Sequence, residues 1–283
     1  MQSCCAQPSV KIAVNADNNS ILWEISGHHL HSPSYLFGTF HLMCKEDIHF
    51  SNNLTQAIKN SNEVYFEMNL DDPANTLGAL FFMNMNNGKT WKDLYSADDY
   101  IRISNFFTDS LQAPMSFIQK MKPAFAEAFI YPKLMPCKNM SGVEEELLKI
   151  AKENKKKING FETIQFQASV FDSIPYEEQA KDLLKTIDSL GVYKKYFDTM
   201  LIVYKTQELS KIEKMSNDDS FGMQDDRGVL LDDRNKKWIV QLKKIMKDEN
   251  VFIAVGAGHL VGDKGLIALL RKEGYTVRPL LNK

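Results

Sequence analysis

Two short turns that pair glycine with histidine constrain this chain most. Gly38-Thr39-Phe40-His41 leaves the apolar run Tyr35-Leu36-Phe37, and Gly256-Ala257-Gly258-His259 leaves Val251-Phe252-Ile253-Ala254-Val255. Each is a G-x-x-H step out of a buried strand, followed by a helical stretch and another strand. Open α/β sheets bind ligands at the carboxyl ends of their strands, so each histidine stands at a ligand-binding position. Two of them, near opposite ends of the chain, predict two half-sites folded against each other. Runs that are apolar on both faces belong in the middle of a parallel sheet.

The strand and helix patterns alternate in the way an α/β core requires. Strands are expected at Ile21–Ile25, Tyr35–Phe37, Val64–Met68, Ile158–Glu162, 251–255 and Tyr275–Leu280. A helix capped by Ser51 should run through about Asn60, and another from Gly142 to Asn154. Residues 164–247 read as helices broken at Pro175, Gly191, the loop Ser216–Asp219 and Gly228. A last helix is expected over 262–272. The expected fold is therefore α/β, with a central sheet built from two related strand–GxxH–helix–strand halves. A helical insertion of about 73–140 separates them, rich in Phe and Met (Phe81, Phe107, Met121, Phe125). We expect one domain over 21–283, preceded by a flexible lead over 1–20, and expect the insertion to wall one side of the site cleft.

Composition excludes some partners. A net charge of −2 gives no general attraction to nucleic acid, and the basic run Lys152–Lys157 reads as a solvated helix end. No stretch reaches the ~18 apolar residues of a membrane span. Ser3-Cys4 resembles the end of a bacterial lipoprotein signal without its apolar region. The expectation is export to the periplasm or anchoring through a lipidated Cys4, the only membrane tether foreseen; without export the protein is cytoplasmic. The four cysteines, Cys4, Cys5, Cys44 and Cys137, have neither zinc-ribbon nor C-x-x-C spacing. Cys44 is expected to be a buried, inert thiol.

Few side chains can carry chemistry. Glu67 interrupts the apolar strand Val64-Tyr65-Phe66-Glu67-Met68, where an unpaired carboxylate is costly. It is a ligand, a base or half of a buried ion pair. Glu162 ends the strand before a helix and is either a site acid or a first-turn acid. Arg234 lies in a helical pattern and is by itself an ordinary surface residue. Gly256 and Gly258 do not complete the G-x-G-x-x-G fingerprint, and no acid ends the next strand, which argues against a dinucleotide. G-x-S-x-G and H-E-x-x-H are both absent.

Taken together, the segments resemble the TraB/GumN family, which includes the TIKI metalloproteases and is distantly related to erythromycin esterases and ChaN-like proteins. The resemblance runs from about Leu22 to Leu280. It rests on Leu22-Trp23-Glu24-Ile25, Tyr35 to Leu42, Val64 to Met68, Gly142-Val143-Glu144, Gly160-Phe161-Glu162-Thr163 with Gln165, Phe171 to Pro175, Arg234-Asn235 and Val255 to Leu260. Phe40 and Phe161 depart mildly from the family pattern. The resemblance implies a hydrolase of peptide or small-molecule substrates that depends on a divalent metal such as Mn²⁺, Co²⁺ or Zn²⁺. His41, His259 and Glu67 would hold the metal, Glu67 or Glu162 would be the general base, and Arg234 would stabilise the oxyanion. Two alternatives stay open: a metal-free hydrolase in which His and Glu activate water, and a non-enzymatic ligand- or haem-binding protein.

Overall fold

The computed structural model describes residues 19–73, 78, 81–217 and 226–283. Cys4, Cys5 and nearly all of the expected lead over 1–20 lie outside the described residues.

Eight strands occur in chain order: β1 (Leu22–Ser26), β2 (Ser34–Thr39), β3 (Met43–Cys44), β4 (Glu63–Met68), β5 (Met140–Ser141), β6 (Lys157–Glu162), β7 (Val251–Gly256) and β8 (Thr276–Pro279). Six form one sheet in the order β6-β4-β7-β2-β1-β8. β6, β4, β7 and β2 are mutually parallel neighbours, and β1 runs antiparallel to both β2 and β8. β7 therefore sits between β2 and β4, and both G-x-x-H turns leave the same end of the sheet.

The register follows from burial. All six residues of β2 are buried, and so are the first five of β7, as strands covered on both faces require. β4 alternates more, with Val64 and Phe66 inward. Between β2 and β4 the chain crosses through α1 (Asn52–Asn60). Ser51 caps it by accepting from the Leu54 N–H at 3.1 Å, a contact worth about 1 kcal/mol, and Leu54, Ala57 and Ile58 are its buried face.

The other main helices are α2 (Ala97–Asn105), α3 (Val143–Glu153), α4 (Ile164–Asp172), α5 (Tyr176–Asp188), α6 (Leu190–Thr206), α7 (Leu209–Ser216), α8 (Asp233–Asp248) and α9 (Leu266–Lys272). Several expectations change here. Gly191 lies inside α6, because the break falls two residues earlier at Ser189. Gly228 does not break the chain; it opens a wide helical turn, Gly228–Asp232, that runs into α8. Part of the expected loop at Ser216–Asp219 lies outside the described residues. The last helix starts at 266 rather than 262, because Gly262 takes a φ of +83° within the turn before it. Neither half closes on its own first strand: β7 stands between β2 and β4, and β2 and β1 stand between β7 and β8, which pairs with β1 at the far edge.

The Phe- and Met-rich insertion forms α2 and several single turns around its own core of Trp91, Phe107, Ile118 and Met121. The Trp91 indole donates to the Met121 carbonyl at 2.8 Å. Its end carries a short strand that periodicity did not disclose: β5 pairs with β3, Met43 facing Ser141 and Cys44 facing Met140. The expectation of an inert Cys44 thiol is corrected, since Cys44 and Cys137 form a disulfide across 93 residues.

Candidate functional site

Packing at the end of the sheet explains the glycines of the two turns. A Cβ on Gly38 would come 3.1 Å from the Ala257 Cα and 3.1 Å from the Leu260 side chain, so the turns interlock only without it. At Gly256 a Cβ would stand 3.3 Å from Glu67 Oε1, 3.7 Å from His259 Cδ2 and 3.9 Å from His41 Nε2. Gly256 thus marks the point on which both histidines and Glu67 converge.

The two histidines differ in setting. His41 is exposed, its side chain 76% accessible, and its Nδ1 lies 2.7 Å from Glu144 Oε1. The Thr39 hydroxyl donates to the same oxygen at 2.6 Å. The Glu144 carboxylate raises the His41 imidazole to about 9. His259 is 3% exposed and lies against the Trp238 indole at a centroid distance of 4.4 Å. Its Nδ1 is 2.7 Å from Asn235 Oδ1. Burial lowers His259 to about 3, so its ring is neutral.

Glu67 and Glu162 share one cation. Arg234 Nη2 lies 2.6 Å from Glu67 Oε2 and 2.7 Å from Glu162 Oε2, and Nε is 3.1 Å from both Glu162 oxygens. Arg234 Nη1 donates to the Leu230 carbonyl at 3.0 Å and faces His259 Nε2 at 3.3 Å. Burial opposes a charge on Glu67, but His259, Arg234 and His41, with the Gly256 N–H at 2.8 Å, hold its carboxyl down at about 2. Because the His259 ring is neutral, the cations that act on Glu67 are Arg234 and, less strongly, His41.

These contacts alter two expected roles. A guanidinium has five N–H donors, and those of Arg234 are spent on Glu67, Glu162, Leu230 and His259. It has none left for an oxyanion and acts as a strut between two carboxylates. Glu162 is 4% exposed and also accepts from the Trp238 indole at 2.9 Å and from Gln167 at 3.2 Å. Its lone pairs are engaged inside the protein, which is the setting of an anchor for Arg234 rather than of a base. Nor is it a helix cap: Thr163 caps α4, accepting from the Phe166 N–H at 3.1 Å.

A cavity of about 290 Å³ opens over this cluster. His41, Glu67, Glu144, Glu145, Gln167 and Arg234 supply its polar lining, and Met68, Leu70, Val170, Phe171 and Leu230 an apolar wall. His259 lies behind it. No described residue of the Phe- and Met-rich insertion lines the cavity, which corrects the expected wall. The insertion stands one layer back, Phe125 packing on Phe171 at 4.7 Å, with Phe107, Ile118 and Met121 buried in its own core and Phe81 exposed. A wider cleft of about 630 Å³ between Ser110 and Lys133 has no imidazole or carboxylate in its lining.

The donor set suits a divalent cation. His259 Nε2 and Glu67 Oε1 are 3.7 Å apart and both present lone pairs. Each histidine has its other nitrogen fixed, one by Glu144 and one by Asn235, as metal-binding imidazoles do. His41 Nε2 stands further off on an exposed side chain. Among the described residues, the one group of three potential ligands already within 4.8 Å of one another is Cys44, Glu46 and Cys137, whose sulfurs are spent in the disulfide.

Sequence reasoning passed over Glu144, Asn235, Gln167 and Trp238 as site residues. Glu144 looks like any first-turn acid of a helix. Asn235 and Trp238 lie on the inward face of α8 beside Arg234, and that shared face was the available signal.

An α/β sheet with two interlocked G-x-x-H turns over an Arg-bridged pair of glutamates defines the class of protein. The chain belongs to the TraB/PrgY/gumN family, matched over residues 21–279. Among curated proteins it is similar to metalloprotease TIKI2 of Xenopus tropicalis, with 24% identity over 92% of this chain and 60% of that protein. TIKI1 of Danio rerio is 24% identical over 93% of this chain and 63% of its own length, and TIKI1 of Homo sapiens 23% over 92% and 61%. The chain spans about three fifths of the length of these relatives. No solved structure matches it.

Proposed function

We propose that the protein is a hydrolase of the TIKI metalloprotease type, acting on peptide or small-molecule substrates at the cavity beside Gly256. The observation that carries this reading is the convergence of His41, His259 and Glu67 on one point at the sheet end. His41 Nε2, His259 Nε2 and Glu67 Oε1 would hold a divalent cation, of which Mn²⁺, Co²⁺ and Zn²⁺ all suit imidazole and carboxylate. When bound, such a cation polarises a carbonyl and acidifies water. The protein's own groups prepare the rest. Arg234 and the Gly256 amide keep Glu67 ionised, as a ligand must be, and without a cation the same carboxylate is the base of the site. Glu144 holds His41 at Nδ1 and leaves its Nε2 facing the cavity as a ligand. Glu162 keeps Arg234 in place.

One observation favours a metal-free variant of the same chemistry. Arg234 Nη1 stands 3.3 Å from the His259 lone pair that a cation would take. In that variant Glu67 alone activates water. The test is hydrolysis of a peptide library by the purified chain, with each metal and after strong chelation. Cleavage that needs metal and disappears in Glu67→Gln and His41→Ala supports the first reading. Cleavage that survives chelation supports the second. Haem absorbance of the purified protein without hydrolysis would overturn both.

We also propose export, with Cys4 as the lipidated residue. The Cys44–Cys137 disulfide supports an oxidising compartment. Among the described residues no helix is long and apolar enough to cross a membrane. The mass of the mature amino terminus tests the lipid.

A further inference from the structure

Asn235 is completely buried on α8, and both ends of its amide are engaged. Its Nδ2 donates to the His259 carbonyl at 3.2 Å and to the Lys264 carbonyl at 2.9 Å. Carbonyl oxygens only accept, so these two bonds settle which end of the amide is nitrogen. The other end, Oδ1, lies 2.7 Å from His259 Nδ1 and can only accept. The proton of that bond must therefore sit on His259 Nδ1. Arg234 Nη1, 3.3 Å from Nε2, can only donate and favours the same tautomer. On its other side Nε2 faces Glu67 Oε1 at 3.7 Å, a carboxylate that would attract a proton there. The Trp238 indole fixes the plane of the ring, so the imidazole cannot turn away from either partner.

We propose that Asn235 is a positioning residue that locks His259 as its Nδ1–H tautomer and so keeps the Nε2 lone pair facing Glu67 and Arg234. Without Asn235 the Nδ1 proton has no acceptor, and Arg234 Nη1 alone holds the lone pair at Nε2 against the Glu67 carboxylate 3.7 Å away. The same amide ties the G-x-x-H turn to the turn that carries Lys264, so ring and backbone are held by one side chain. Its consequence for hydrolysis rests on the function proposed above; the tautomer does not.

The experiment is long-range ¹H–¹⁵N NMR of the full chain labelled with ¹⁵N-imidazole histidine, in the presence of chelator, with His259 assigned by its loss in His259→Gln. In the wild type Nδ1 should resonate as protonated nitrogen and Nε2 as unprotonated nitrogen. In Arg234→Met the assignment should stay as in the wild type, because Asn235 still accepts from Nδ1, and in Arg234→Met combined with Asn235→Leu it should reverse. In Asn235→Asp it should stay as in the wild type, because a carboxylate still accepts from Nδ1. A wild-type ring protonated at Nε2, a proton that moves to Nε2 in Arg234→Met alone, or Nδ1–H retained in the double variant overturns the proposal. The wild-type spectrum decides even where a variant does not fold. If the hydrolase reading holds, Asn235→Leu lowers kcat by 10- to 100-fold with KM little changed. Unaltered hydrolysis in Asn235→Leu would overturn that reading and leave the lock standing.

Discussion

Cys44 is bonded to Cys137 at the place where the His41 turn meets the start of the Glu144 helix. On one side Cys44 lies three residues beyond His41, and on the other Cys137 precedes β5, Gly142 and Glu144. The β3–β5 ladder has only two residue pairs, too few to persist alone. Closing a loop of this length is worth about 4–5 kcal/mol in the chain-entropy account. Reduction, or Cys44→Ala with Cys137→Ala, should lower stability by about 2–5 kcal/mol. It should also raise hydrogen exchange at Cys44, Lys45 and Val143 more than in β7. Urea unfolding and exchange mass spectrometry with and without thiol check this. Equal exchange in both states would show that the bond does not brace the site.

Arg234 is the electrostatic keystone of two acids, and its loss should be felt in stability before it is felt in chemistry. Arg234→Met leaves Glu67 and Glu162 facing each other without a cation. Breaking a buried pair in this way costs about 3–5 kcal/mol. Arg234→Lys should cost less but not be neutral, because one ammonium cannot reproduce the fork on Glu162. Denaturant midpoints of both variants, compared with Arg234→Met combined with Glu162→Gln, give the order. The double variant should recover part of the loss.

The two histidines should respond differently to removal. His41 is exposed, so losing its ion pair with Glu144 in His41→Ala should cost only about 1 kcal/mol or less. His259 is buried against Trp238 and bonded to Asn235. His259→Ala opens a cavity and orphans the Asn235 oxygen, at about 2–3 kcal/mol. Melting curves of the two variants test the asymmetry, and equal losses would contradict it.

Glu127 supplies a pH dependence remote from the site. Burial raises its carboxyl from an ordinary 4.5 to about 7, with the Thr186 hydroxyl donating to it at 3.1 Å. Between those two values the folded protein keeps a proton that the unfolded chain releases. Stability should therefore fall as pH rises from about 4.5 to 7, by up to about 1.4 kcal/mol per unit. Glu127→Gln should flatten that slope and stabilise the protein at pH 8. A slope unchanged by the substitution would refute the assignment.

The legible parts of this protein were local. Apolar runs of five or six residues are enough to specify β2 and β7, and a serine before an amphipathic stretch is enough to start α1. A glycine three residues before each histidine is enough to foresee a tight turn at a strand end. Glu67 stood out because a carboxylate in an apolar strand must have a partner. The insertion was harder, since Phe and Met at helical spacing look alike whether they fill a core or line a cleft. The breaks at Gly191 and Gly228 were misplaced because glycine only weakens a helix, and packing around it decides whether the helix stops.

By itself, then, the sequence determined the α/β layout, the two G-x-x-H turns and the acids placed beside them. Those follow from backbone sterics and from the period of apolar residues, which act over a few positions. Only the tertiary structure decided what the side chains do. It spent the donors of Arg234 on Glu67 and Glu162, gave His41 to Glu144 and His259 to Asn235, and joined Cys44 to Cys137. These partners lie between 24 and 167 residues apart in the chain. No local pattern records which of them meet. Their pairing is set by the cost of leaving a buried charge or polar group unsatisfied, and that cost exists only once the sheet has brought its strand ends together.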